Sequence, residues 1–130
     1  MGQIGQDRIP VSNGVKPYAS GESAYVVLDG ELDLSRRDDI VAALPAPESI
    51  SGGVINLAGA TYVDSMALGV LVKFRRAFIN HGGDPENLII VLAKDGPIRF
   101  AFERTGLNRL FSIAYVDRRP SPPEEHITSR

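Results

Sequence analysis

Short apolar runs separated by segments of helix length constrain the fold of this chain more than any other feature. The runs lie at residues 24–28, 54–57 and 88–93, and the last of them, Leu-Ile-Ile-Val-Leu-Ala, is the strongest. Short, continuous runs rich in β-branched and aliphatic residues are typical of strands buried on both faces of a parallel sheet. The sequence therefore predicts at least these strands, with the chain crossing over between them.

Helix signals fill the segments between the runs. Ser35 is placed to cap a helix over residues 36–44, and Pro45 would end it. A longer helix is predicted over residues 65–80, because apolar side chains recur there at helical spacing. They are Leu68, Leu71, Val72, Phe78 and Ile79.

Glycines mark the ends of the helices in the second half of the chain. Gly82 follows the long helix and is placed to adopt the left-handed conformation that ends many helices. A further helix is predicted over residues 98–103 and is broken by Gly106, with a short helical turn at 108–111. Residues 113–116 predict a last strand.

The alternation of strands and helices predicts an α/β fold. We expect a mixed, mostly parallel sheet of four to five strands with about four helices. A short strand near residues 15–18, confined to a sheet edge by Pro17, would add an antiparallel edge. One domain over residues 15–117 would lie between a flexible N-terminus, 1–14, and a disordered proline-rich tail, 118–130.

Composition excludes several classes of function. The net charge is −2, so no nucleic-acid or anionic-membrane partner is expected, and no apolar stretch is long enough to span a bilayer. There is no cysteine and there are only two histidines, which argues against thiol chemistry and against a metal site. Phosphate loops, nucleophile elbows and metalloprotease motifs are absent. We therefore expect a cytoplasmic protein that is not an enzyme and needs no cofactor.

The segment from Tyr62 to Gly69 is the best candidate for a functional site. It leaves the carboxyl end of a predicted strand and opens the longest helix, which is where binding sites gather in open α/β sheets. Asp64 and Ser65 stand at the junction. A purely structural interpretation is also open, because either residue could cap the helix and contribute about 1 kcal/mol.

This junction resembles the STAS domain of bacterial anti-sigma factor antagonists. Residues 54–65, running into Leu68-Gly69-Val70-Leu71, are similar to that family's strand, loop, Asp-Ser pair and helix. Residues 29–33 resemble its Gly-Glu-Leu-Asp stretch, and residues 105–111 resemble its closing signature. The matches fall in the family's order and together extend the resemblance over about residues 15–117.

The resemblance implies a phosphorylation switch at Ser65. The unphosphorylated protein would bind an anti-sigma factor, often itself a GHKL-type serine kinase, and so release the sigma factor. Phosphorylation of Ser65 would end that binding, and a PP2C-type phosphatase would restore it. Asp64, Ser65, Met66, Asp33 and Thr61 would form the partner-binding site, with Thr61 as a weaker candidate for a second phosphorylation site.

Met66 and Ala67 depart from the family pattern, which often has a small polar residue and then glycine at these positions. A methionine at an exposed helix start would favour an adaptable apolar contact. The departure leaves room for an alternative, a non-switching STAS subunit of a lipid-transport complex or a stress-sensing scaffold. A nucleotide-binding protein or small enzyme on a doubly wound sheet is a third hypothesis, which the missing phosphate loop disfavours.

Overall fold

The computed structural model describes residues 22–117, which form alternating strands and helices. The predicted strand at residues 15–18 and both predicted flexible ends lie outside this range. The strands are β1 Glu22–Val27, β2 Gly30–Leu32, β3 Ile50–Asn56, β4 Ala60–Val63, β5 Leu88–Ala93 and β6 Ser112–Val116. The helices are α1 Arg37–Ala43, α2 Ser65–Asn80, α3 Pro97–Thr105 and α4 Leu107–Leu110.

Four strands form the main sheet in the order β1-β3-β5-β6, and every pairing between them is parallel. Alternate residues of each inner strand are buried, so that Ile55 pairs in register with Ile90 on the covered face. The helices contribute their apolar side chains to the same core. The predicted α/β fold, with four main strands and four helices, is therefore confirmed.

A second, two-stranded parallel sheet, β2 with β4, continues the β1–β3 pair beyond its carboxyl end. Neither β2 nor β4 is among the strands that the sequence predicted, so the prediction was incomplete here. Strands this short carry too few residues to show a periodicity, so only their pairing reveals them. The left-handed Gly30, at a φ of 79°, starts β2 at this point.

Helix α2 has the bounds that the sequence predicted, residues 65–80. Its buried side chains are Ala67, Leu71, Phe74 and Phe78, a stripe of helical period that faces the sheet. The predicted stripe contained Leu71 and Phe78 but missed Phe74 and Ala67. Gly82 has a φ of 95°, which confirms the left-handed helix end.

The start of α1 differs from the prediction. Ser35 does not cap it: the residue before α1 is Arg36, which makes no side-chain capping bond. Asp33 instead caps the 3₁₀ turn that precedes α1, since its Oδ1 accepts from the backbone N–H of Ser35 at 3.0 Å. Ser35 lies inside a 3₁₀ turn, Leu34–Arg36, that leads into α1. The predicted cap is therefore wrong in position: the capping side chain lies two residues earlier and serves the 3₁₀ turn.

The far edge of the sheet is closed by α3, α4 and β6. Gly106, at a φ of 79°, ends α3 and confirms the predicted break. Arg99 donates to Glu103 at 2.9 Å and lies over the ring of Tyr115, 5.0 Å from its centroid. The hydrogen bond and charge of Glu103 raise the pKa of Arg99. This arginine therefore ties α3 to β6.

Candidate functional site

Asp64 joins two segments of the chain at the start of α2. Its Oδ1 accepts from the backbone N–H of Ala67 at 2.9 Å, the capping bond of the helix. Its Oδ2 accepts from the backbone N–H of Leu34 at 2.9 Å, and its own N–H donates to the carbonyl oxygen of Leu32 at 3.2 Å. One carboxylate thus fixes α2 against the turn that follows β2.

Ser65 is the first residue of α2 and its side chain is exposed. Within residues 22–117 no hydrogen bond engages its hydroxyl. The helix cap is therefore Asp64, which settles the sequence-level alternative between the two residues. Ser65 is left as an accessible hydroxyl on a backbone whose position is determined by its neighbour.

Asp33, which the family resemblance assigns to the partner-binding site, lies next to two residues that bond to Asp64. The residues on either side of it, Leu32 and Leu34, both bond to Asp64 through their backbones. Both the backbone N–H and the hydroxyl of Ser35 donate to Asp33. The carboxyl groups of Asp33 and Asp64 therefore face the same short turn, and each helps to hold it in shape.

Five residues near the bond between Leu34 and Asp64 are called here the Ser65 surface: Asp33, Leu34, Thr61, Tyr62 and Ser65. Asp33 is half-buried and the other four are exposed. Leu34 is 65% exposed and Tyr62 is 51% exposed, so both add apolar area to this surface. Thr61 is exposed at an irregularity of the β2–β4 register, where Gly30 and Glu31 face Ala60 and Tyr62. The sequence did not identify Leu34 or Tyr62, because exposure depends on what the fold leaves uncovered.

Met66 is half-buried and packs against the core, so the expectation of an exposed methionine was wrong. Its side chain lines a groove between α1 and α2. The apolar contact that the sequence expected at this position is still available, but it lies inside a groove and not on the outer surface.

Carboxylates dominate the charge of the turn before Ser65. Asp29, Glu31 and Asp33 precede α1, and Asp64 follows β4. Arg36 is half-buried and donates from Nη1 to the carbonyl oxygens of Asp29 and Glu31, at 2.9 and 3.2 Å. Its guanidinium therefore braces the turn from within.

Two further observations bear on the kind of site this is. In the part of the chain that the structure describes, no three His, Cys, Asp or Glu side chains are grouped as a metal ion would require. No helix between residues 22 and 117 has the length and apolarity to cross a membrane. What the junction offers is an exposed hydroxyl framed by carboxylates and apolar side chains.

Comparison with known proteins places the fold. The anti-sigma factor antagonist SpoIIAA, solved in its unphosphorylated form, aligns with a TM-score of 0.53 at 17% identity, over 87% of this chain and 92% of that one. A Thermotoga maritima protein provisionally classed as an anti-sigma factor antagonist aligns with a TM-score of 0.55 at 16% identity, over 72% and 79%. Among curated proteins no match is found. The STAS domain family model matches residues 17–118, and the chain therefore belongs to the STAS domain family.

Proposed function

We propose that this protein is an anti-sigma factor antagonist whose binding is switched by phosphorylation of Ser65. Its unphosphorylated form binds an anti-sigma factor that is also a GHKL-type serine kinase, and the sigma factor is released. Phosphorylation ends the binding and a PP2C-type phosphatase reverses it. Membership of the STAS domain family and the fold shared with SpoIIAA support this assignment.

The observation that carries the proposal is the exposed, unpartnered hydroxyl of Ser65 on a braced helix start. A kinase must reach the acceptor oxygen, and no side chain in the described residues covers it. Asp64 bonds to both Ala67 and Leu34, so the backbone at Ser65 is already held in one conformation. The chain therefore loses little conformational entropy when a partner binds there. The backbone does not have to rearrange before the partner binds.

Phosphorylation of Ser65 adds negative charge at the centre of the proposed binding site. A phosphate adds about −1.5 to −2 charges at pH 7. The backbone N–H groups and dipole of the α2 N-terminus accept that charge, so the fold tolerates it. A desolvated interface beside Asp33 and Asp64 does not. A loss of about 3 kcal/mol there weakens binding more than about a hundredfold.

The other residues of the site have supporting roles. Asp64 orients the serine, and Asp33 extends the carboxylate face that a cationic partner reads. Met66 offers an adaptable apolar contact at the mouth of its groove. Thr61 is the weaker candidate for a second phosphorylation, since it is also exposed at this edge. The protein acts by binding and not by catalysis, in the cytoplasm where its kinase has ATP.

A fixed subunit of a larger complex is the second candidate, and one observation favours it. Both oxygens of Asp64 are engaged in bonds that stabilise the fold, so the Asp-Ser pair has a structural role whether or not Ser65 is ever modified. The two candidates differ in one measurable property, the dependence of partner affinity on the charge at residue 65.

Affinity capture from the native lysate separates them, with wild type, Ser65→Ala and Ser65→Glu as baits. Ser23→Glu is the matched control, since Ser23 is exposed near the amino end of β1 and away from the site. We expect a GHKL-type kinase to be retained by wild type, Ser65→Ala and Ser23→Glu and lost by Ser65→Glu.

Thermal unfolding of each bait shows that the loss is not a folding defect, because a carboxylate at the first turn of a helix is stabilising. The purified kinase should phosphorylate wild type and not Ser65→Ala. Equal retention of one partner by all four baits would assign the protein to a fixed complex.

A further inference from the structure

A groove of about 590 Å³ runs between α1 and α2, beginning next to Ser65. Its α1 wall contains Val41 and Leu44, and its α2 wall contains Met66, Val70 and Phe74. Met66 and Val70 are half-buried and Val41 is 45% exposed, so the lining is apolar yet uncovered by the described residues. From Met66 to Ala77 the groove follows about three turns of α2, or about 16 Å.

Gly69 lines the same groove, and nothing within residues 22–117 requires a glycine at this position. A Cβ built on it would meet nothing within 4 Å, and its φ is not in the left-handed region. A glycine inside a helix costs about 0.5–1 kcal/mol relative to alanine. A position that weakens its own helix and leaves open space beside it is suited to the close approach of a second backbone.

The charge of the groove is opposite to that of the Ser65 surface. Arg37 and Lys73 are the charged residues among those that line it. Arg37 makes only a long ion pair to Asp38, at 3.6 Å between two exposed side chains. Lys73 is exposed and makes no ion pair within residues 22–117. An occupant with acidic residues beside an apolar face is therefore favoured.

We propose that this groove binds an amphipathic helix of the partner protein, packed over Gly69 and bearing acidic residues that face Arg37 and Lys73. A helix of about three turns fits the length of the groove. Apolar grooves between two helices commonly bind the apolar face of a third helix. The identification of that partner as the anti-sigma factor rests on the proposed function. The chemistry of the occupant rests on the groove alone.

The first test uses designed peptides and the whole chain. Two helical peptides of about four turns share one leucine face. One has glutamates along its flanks and the other has lysines at the same positions. Titration of the ¹⁵N-labelled protein should move the amide signals of Val41, Met66 and Lys73 with the acidic peptide. We expect the basic peptide to bind at least about tenfold more weakly, since both rim charges oppose it.

Gly69→Met adds a side chain to the groove at a position where a Cβ meets no atom of the described residues within 4 Å, and methionine favours a helix more than glycine does. This variant should bind the acidic peptide at least about tenfold more weakly than wild type does, while the protein keeps its thermal stability. Ala42→Met is the matched control, because Ala42 is exposed on α1 and does not line the groove. It should bind as wild type does. Equal binding of both peptides, or no effect of Gly69→Met, would overturn the proposal.

The same variants against the purified kinase distinguish this inference from the switch. If Gly69→Met weakens binding of the kinase and Ser65→Glu does not, the groove is confirmed as a binding site and the proposed switch is wrong. If Ser65→Glu weakens it and Gly69→Met does not, the groove is not part of the interface. A saturable shift of the groove amides with dodecanoate, and none with the acidic peptide, would assign the groove to a lipid and overturn the helix proposal.

Discussion

The two ends of α2 satisfy their unpaired backbone groups in different ways. At the C-terminal end the last carbonyl groups are satisfied locally. The N–H of Gly82 donates to Ile79 at 2.9 Å, and that of Gly83 donates to Phe78 at 2.9 Å. Phe78 is fully buried and packs where a side chain on Gly83 would lie. This end is closed on itself and on the core.

At the N-terminal end the cap is shared with another part of the chain. Asp64 bonds to Ala67 in its own helix and to Leu34, thirty residues earlier. Ser65 and Leu34 remain exposed beside it. One end thus uses its polar and apolar groups for stability, and the other holds them in place while leaving them available. Changes at the first should alter folding, and changes at the second should alter binding.

The largest effect on stability is expected from Phe78→Ala. The ring is fully buried at the closed end of α2, and large-to-small changes of this kind cost about 3–5 kcal/mol. Denaturant unfolding measures the loss. Phe100→Ala is the matched control, since Phe100 is 61% exposed and should change stability by no more than about 0.5 kcal/mol. Similar losses for the two variants would contradict the contrast.

A pair of glycine substitutions sharpens the comparison along the same helix. In Gly83→Ala the new Cβ would overlap the ring of Phe78, and overpacking of this kind costs about 1–3 kcal/mol. In Gly69→Ala the Cβ meets nothing, and the gain in helix propensity should stabilise the protein by about 0.5–1 kcal/mol. Opposite shifts of the melting temperature are expected. Shifts of the same sign would contradict the contrast between the filled space at Gly83 and the open space at Gly69.

Asp64→Ala should cost about 1–2 kcal/mol, because it removes the helix cap and leaves the N–H of Leu34 without its acceptor. It should also weaken partner binding by more than the loss of stability explains, because the turn beside Ser65 is no longer held by Asp64. Asp84→Ala is the control: Asp84 caps a 3₁₀ turn through one bond to Glu86 and should leave binding unchanged. Calorimetric binding of both variants tests this, and equal binding losses would contradict it.

The smallest effect on stability, and a clear one on binding, is expected from Leu34→Ala. The side chain is 65% exposed, so unfolding free energy should change by no more than about 0.5 kcal/mol. If the proposed interface includes Ser65, the loss of this exposed apolar side chain should nonetheless lower partner affinity about tenfold. Leu110→Ala, a 38% exposed leucine on α4, should leave affinity at the wild-type value. Retained affinity in Leu34→Ala would remove this residue from the interface.

Several features of the protein follow from the sequence alone because a few neighbouring residues decide them. The bounds of α2 and β5 were predicted residue for residue, since both are long and strongly patterned. Gly82 and Gly106 were predicted to end helices, because a positive φ strongly favours glycine. The start of α2 at the Asp64-Ser65 junction was also predicted, from a local motif.

Other features were decided only when distant parts of the chain met. The pairing of β2 with β4, the bond from Leu34 to Asp64 and the groove beside Gly69 each join residues about thirty positions apart in the sequence. A contact of that kind depends on how the sheet closes the loops between its partners, and it leaves no mark on the local pattern of either segment. The sequence by itself determined the helix and the serine at its start, and the tertiary structure determined what surrounds that serine.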